Sequence, residues 1–167
     1  MKVTFHWWAK WISTSAIILI AGCASNTGAR GPFDAQSPHW QGRLAVRVES
    51  TPVQAFSADF DLQGSAQAGS MTFTSPLGST LARLQWDADA ATLQTTGEAQ
   101  HFASLDALVW HATGTDLPVA NLFSWLQGIA SDTPEWQADL QDLPTGRLSA
   151  RRLPPGTPAE LKIILDR

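Results

Sequence analysis

Between residues 43 and 86, apolar side chains return at every second position in four consecutive runs, and this alternation limits the fold more than any other feature. In "RLAVRV", Leu44, Val46 and Val48 face one way, while Arg43, Ala45 and Arg47 face the other. A period of two is that of a strand with one buried face. "AFSADFDL" repeats it, with Phe56, Ala58, Phe60 and Leu62 against Ala55, Ser57, Asp59 and Asp61. "SMTFT" places Met71 and Phe73 on the apolar side, and "TLARLQW" adds Ala82, Leu84 and Trp86. "GSAQAG" and "DADA" are turns, and "ATLQTT" and "EAQHF" continue as weaker strands.

The period then changes. Ser104 is placed to cap a helix bearing Leu105, Leu108 and Val109, with Gly114 beyond its end. "DLPVANLFSWLQG" predicts a second helix, with Pro118 in the first turn and Gly128 as the stop. Leu122, Trp125 and Leu126 form its apolar face. "EWQADL", "GRLSARRL" and "AELKIILDR" read as three more strands, with "LPPGTP" between the last two. Antiparallel strands, two helices and further strands predict an α+β fold, a strongly curved antiparallel sheet with helices on its concave face.

The N-terminus reads differently. Residues 1–22 carry Lys2 and Lys10, a short apolar run, then Ala21 and Gly22, the pattern of a secretory signal peptide. The sole cysteine, Cys23, follows directly in "LIAGC" and cannot form an internal disulfide. The pattern resembles a bacterial lipobox, which makes Cys23 the expected site of lipidation. Ala24 and Ser25 follow it, with no Asp to favour the inner membrane, so the outer membrane is expected. Residues 23–38 read as the lipidated N-terminus and a flexible tether, and residues 39–167 as one folded domain.

The formal net charge is −4, and no basic patch points to nucleic acid. No nucleophile elbow, phosphate loop, metalloprotease motif or cysteine cluster is present, so neither an enzyme nor a metal or other cofactor is expected. His39, His101 and His111 have no close ligand spacing and read as ordinary surface or helix-end residues. Asp59 and Asp61 read as a solvated outer face. Arg151 and Arg152 read as a solvated edge, with an anionic headgroup or partner as the alternative. Pattern alone favours a closed, filled core. The alternative is a half-open barrel whose apolar lining holds an acyl chain.

One turn is odd. "TSPLGST" has Pro76 and Gly78 where a tight turn needs them, yet Leu77 occupies a tip that ordinarily faces water. Leu77 either folds back onto its own sheet or projects into solvent.

The lipobox, "GRLAVRV", "SPLGST" with "LARLQW", and "LPVANLFSWLQG" occur in an order that resembles the outer-membrane lipoprotein receptor family LolB, over most of the chain from about Trp40. The resemblance implies an incomplete, half-open β-barrel with a helical lid over an apolar cavity. It implies a monomeric lipoprotein, anchored in the outer membrane and facing the periplasm. Such a protein accepts acylated lipoproteins from a LolA-like periplasmic chaperone and inserts them into the inner leaflet of the outer membrane. By the matching turn, Pro76, Leu77 and Gly78 form the membrane-insertion loop, with Leu77 projecting. Strand parity then assigns the acyl-chain cavity to Leu44, Val46, Val48, Phe56, Phe60, Met71, Phe73, Leu84, Trp86, Leu122, Trp125 and Leu126. Against the family pattern, "PFDAQSPHW" leaves little room for a helical segment before the first strand, and the part after "WLQG" is compact. The competing expectations are a passive structural or envelope-assembly lipoprotein with a filled core, and an enzyme acting on lipid or cell wall.

Overall fold

The computed structural model describes residues 37–114, 116–131 and 133–166. The expected signal peptide, Cys23 and residues 24–36 of the expected tether lie outside the described residues, while Pro38 at its end accepts from the Gly64 N–H at 3.0 Å. The chain runs β1 (His39–Val48), β2 (Gln54–Gly64), β3 (Gly69–Thr74), β4 (Thr80–Trp86), β5 (Ala91–Gln94) and β6 (Gln100–Phe102). Helices α1 (Leu105–Thr113) and α2 (Val119–Leu126) follow, then β7 (Trp136–Asp139), β8 (Arg147–Arg152) and β9 (Ala159–Leu165). All nine strands form one antiparallel sheet in the order β6-β5-β4-β3-β2-β1-β9-β8-β7. The sheet does not close; its edges are the three-residue β6 and the four-residue β7.

The two-residue period appears as burial. Leu44, Val46 and Val48 of β1 are buried and their neighbours Arg43 and Arg47 exposed. Ion pairs cover the outer face: Arg43 Nε donates to Asp59 Oδ1 at 2.9 Å, and Arg47 Nε to Glu49 Oε1 at 2.7 Å. Asp61 accepts from Gln41 Nε2 at 2.6 Å and lies 3.1 Å from His39 Nε2.

The helix signals sit where the sequence places them, with one shift. The Ser104 hydroxyl accepts from the Ala107 N–H at 3.1 Å, and Gly114 closes α1 in the left-handed conformation. Pro118 is the residue before the first turn of α2 rather than within it. It lacks an N–H, and Leu122 N–H donates to its carbonyl at 3.0 Å, so it still begins the helix. α1 packs on β5 and β6. α2 meets the sheet through Phe123, whose ring lies 5.7 Å from that of Trp40 and 6.4 Å from that of Trp86.

Three buried indoles fix loops by donating to backbone carbonyls. Trp86 Nε1 reaches Ser65 O at 2.9 Å, Trp125 Nε1 reaches Ser131 O at 3.0 Å, and Trp136 Nε1 reaches Asp116 O at 3.0 Å. Arg152 departs from the sequence expectation of a solvated edge. Its parity matches buried Leu148 and Ala150, so its side chain turns inward and is only 10% exposed. There Nη2 donates to Glu135 Oε2 at 2.7 Å, which satisfies a charge that burial would otherwise penalise. Arg151, of the opposite parity, is exposed and pairs with Glu160 at 3.4 Å.

Two outcomes test this frame. Gly69 faces Trp86 across the β3–β4 ladder, and an added Cβ would collide with the indole and stand 2.6 Å from the Gln63 carbonyl oxygen. Gly69→Ala is expected to cost about 1–3 kcal/mol, read as a lower urea midpoint. Separately, the Lys162 ammonium, hydrogen-bonded at 2.9 Å, holds the Glu160 carboxyl below its ordinary value of 4.5; burial opposes this and Arg151 adds to it. That stabilisation is present above the ordinary value and lost as pH falls towards the lowered one. Glu160→Gln is expected to remove under about 1 kcal/mol near neutrality and to flatten the acid limb of a stability–pH curve.

Candidate functional site

A pocket of about 570 Å³ is lined by residues of the sheet and of both helices. Well-packed interiors hold few voids larger than a water molecule, whereas ligand sites span about 300–1,000 Å³. The pocket wall is mostly apolar. β1 gives Leu44, Val46 and Val48, β3 gives Met71 and Phe73, and β4 gives Leu84 and Trp86. α1 gives Leu108 and Val109, and α2 gives Leu122, Phe123 and Trp125.

Of the residues read from strand and helix parity, the structure brings Leu44, Val46, Val48, Phe56, Met71, Phe73, Leu84, Trp86, Leu122 and Trp125 to this wall. Phe60 and Leu126 are buried but do not line it. Phe60 stands across the ladder from Gly42, and Leu126 lies in the last turn of α2. Phe56 is on the wall yet 43% exposed, its ring edge-on to Phe73 at 5.3 Å. Parity assigns a face, but it does not say how far along that face the helices reach.

Among the wall residues that the sequence reading did not assign to the cavity, Phe123 and Leu81 are the most informative. Phe123 is one position off the face drawn through Leu122 and Leu126, although Val119, Phe123 and Leu126 share the three- and four-residue spacing of one stripe. Leu81 has the wrong parity. Phe73 pairs with Ala82 while Thr74 pairs with Thr80, so Leu81 is the extra residue of a β-bulge. The bulge brings it to the pocket despite its position in the alternation.

The turn beside the bulge is a three-residue hairpin loop. Gly78 N–H donates to Ser75 O, and Ser75 N–H donates to Ser79 O, both at 2.8 Å. Gly78 has φ +82°, the left-handed conformation that closes such loops. The Ser75 hydroxyl also accepts from the Ser79 N–H at 3.2 Å. Held this way, Leu77 is 94% exposed, so it does not fold back onto the sheet.

Polar chemistry is sparse near the pocket. His111 lines it, with its ring 5.1 Å from that of Phe102. His101 Nδ1 lies 3.2 Å from Thr92 Oγ1. Among the described residues, no three His, Cys, Asp or Glu side chains gather as a metal site would require. The arrangement offers apolar burial and an exposed apolar tip.

Residues 38–152 match the family model for outer membrane lipoprotein LolB. An outer-membrane lipoprotein LolB from Bordetella petrii is 33% identical over 140 residues, covering 80% of this chain and 70% of that protein. One from Shewanella woodyi is 30% identical over 153 residues, covering 87% and 70%. One from Chromobacterium violaceum is 26% identical over 135 residues, covering 75% and 71%.

If the pocket is accessible space, an environment-sensitive apolar dye should bind the folded protein and compete with a long-chain fatty acid. Met71→Trp adds bulk to the wall, and is expected to weaken the dye by on the order of tenfold, about 1.4 kcal/mol. A fluorescence titration beside an unfolding curve separates this from lost folding.

Proposed function

The chain belongs to the outer membrane lipoprotein LolB family, and from that premise we propose that it receives acylated lipoproteins from a LolA-like periplasmic chaperone and inserts them into the inner leaflet of the outer membrane. In this reading Cys23 carries the lipid anchor, and the protein works as a monomer facing the periplasm. No helix among the described residues is long and apolar enough to cross a membrane, which is compatible with anchoring by lipid. The observation that carries the reading is the apolar pocket of about 570 Å³, found beside a turn that exposes Leu77.

The physics is an exchange of burial. Each methylene moved out of water contributes about 0.8 kcal/mol. A tenfold preference for receiver over donor needs about 1.4 kcal/mol, equivalent to burying about two more methylenes. The pocket takes acyl chains, and α1 and α2 act as its lid. The bilayer buries chains more fully still, so transfer runs downhill with no bond made or broken. Leu77 contributes about 1.5–3 kcal/mol when its side chain enters lipid. That suits a contact that forms and breaks with each delivery, while the anchor keeps the protein at the membrane. A passive lipoprotein with a filled core gives no reason for the open pocket.

The test follows cargo. A LolA-like donor loaded with a triacylated lipoprotein is mixed with the purified protein and outer-membrane vesicles, and cargo on the receiver and in the membrane is scored separately. Wild type should take and deliver cargo. Leu77→Glu should take it equally well and fail to deliver it. Wild type that never takes cargo would overturn the receptor reading.

A further inference from the structure

The geometry points to a wider membrane contact than Leu77: the corner of the sheet formed by residues 50–56 and 75–81 rests on the lipid surface, and the pocket empties there, past the end of β3, between the starts of β2 and β4. This inference rests on the transfer reading and extends it to the route by which a chain leaves.

Strand register puts the loops 49–53, 75–79 and 153–158 at one end of the sheet, with the β5–β6 loop on the same side. Val48 pairs with both Gln54 and Ala159, and Thr74 pairs with Thr80. Exposure along the wall rises towards it. On β2 it climbs from 2% at Leu62 to 43% at Phe56, and on β4 from 5% at Trp86 to 39% at Leu81. α2 covers the opposite half, where Phe123 meets Trp40 and Trp86. The uncovered half ends on Phe56 and Leu81, with Val53 also exposed in the adjoining loop.

The charge pattern selects the occupant. Residues 50–58, 62–82 and 153–159 contain no Asp, Glu, Lys, Arg or His. Glu49 lies at this end but is paired with Arg47. Glu98, in the β5–β6 loop, shares the end, as do Arg151 and Arg152, which pair with Glu160 and Glu135 on the β7–β9 flank away from the turn. The opposite end carries Asp87 and Asp89 in the β4–β5 loop and Asp142 before β8. An apolar corner around a protruding Leu, with the charges of β1 and β8 paired beside it, suits the hydrocarbon boundary of a bilayer. A protein partner held by charge would need ionic groups that residues 50–58 and 75–82 lack. A chain leaving between Phe56 and Leu81 then passes from pocket to lipid without crossing water.

An environment-sensitive fluorescent amino acid, introduced singly at position 53, 77, 81 or 88 of the full chain, reads the contact. Each protein is reconstituted on phosphatidylcholine vesicles whose acyl chains carry bromine as a quencher. Positions 53, 77 and 81 should be quenched, and position 88, in the β4–β5 loop, should not. Raising salt should leave the quenching unchanged, because screening acts on charges and not on apolar burial. Quenching at 77 alone would overturn this inference and leave the role of Leu77 standing. Equal quenching at all four positions would also overturn it. Quenching nowhere would remove both this inference and the membrane role of Leu77, whereas the uptake assay above judges the receptor reading independently.

Discussion

The sheet has more apolar face than its two helices can cover. Nine strands side by side span about 40 Å, and β2 alone is about 36 Å long. α1 and α2, of nine and eight residues, are each about 12–13 Å long and about 10 Å across. Curvature brings the sheet around the helices but cannot make up this difference. The remaining concave surface becomes the pocket, and its position follows from where the helices are fastened. α2 is held near Trp40 and Trp86 by Phe123, and the segment leading out of it is held by Ser131, which receives both the Trp125 indole and the Asn121 amide. Cover is therefore concentrated at one end.

Much of this was legible in the residues. Alternation in β1 to β4 gave the buried face, because one buried side is what fixes register in a sheet. Ser104 marked the start of α1 because a short hydroxyl side chain can satisfy an otherwise unpaired helix N–H. The "PLG" turn was legible too, since Pro and Gly each fit one position of a three-residue loop. That Leu77 projects had to come from the structure or from the family pattern, because the turn chemistry alone allows either direction.

The misreadings share a cause: an alternating pattern is a local signal, while the pocket depends on distances along and between elements. Leu81 fails because a single inserted residue reverses parity. Phe56 and Phe60 lie on the same face of β2, yet one is 43% exposed and the other buried. Arg152 reads as a surface residue until Glu135, seventeen positions away, is brought within 2.7 Å. The aromatic contact of Trp40 with Phe123 joins the first strand to the second helix, a separation over which no sequence period operates.

An open sheet leaves two unpaired borders, and those borders are a hazard. Unsatisfied N–H and C=O groups in a row recruit strands from neighbouring molecules, the more so when molecules are confined to a surface and meet in two dimensions. Here the border strands are three and four residues long. So short a template offers another chain only a few hydrogen bonds, too few to outweigh the entropy of ordering it. The fold can thus stay unclosed, as its pocket requires, without becoming the seed of a fibre.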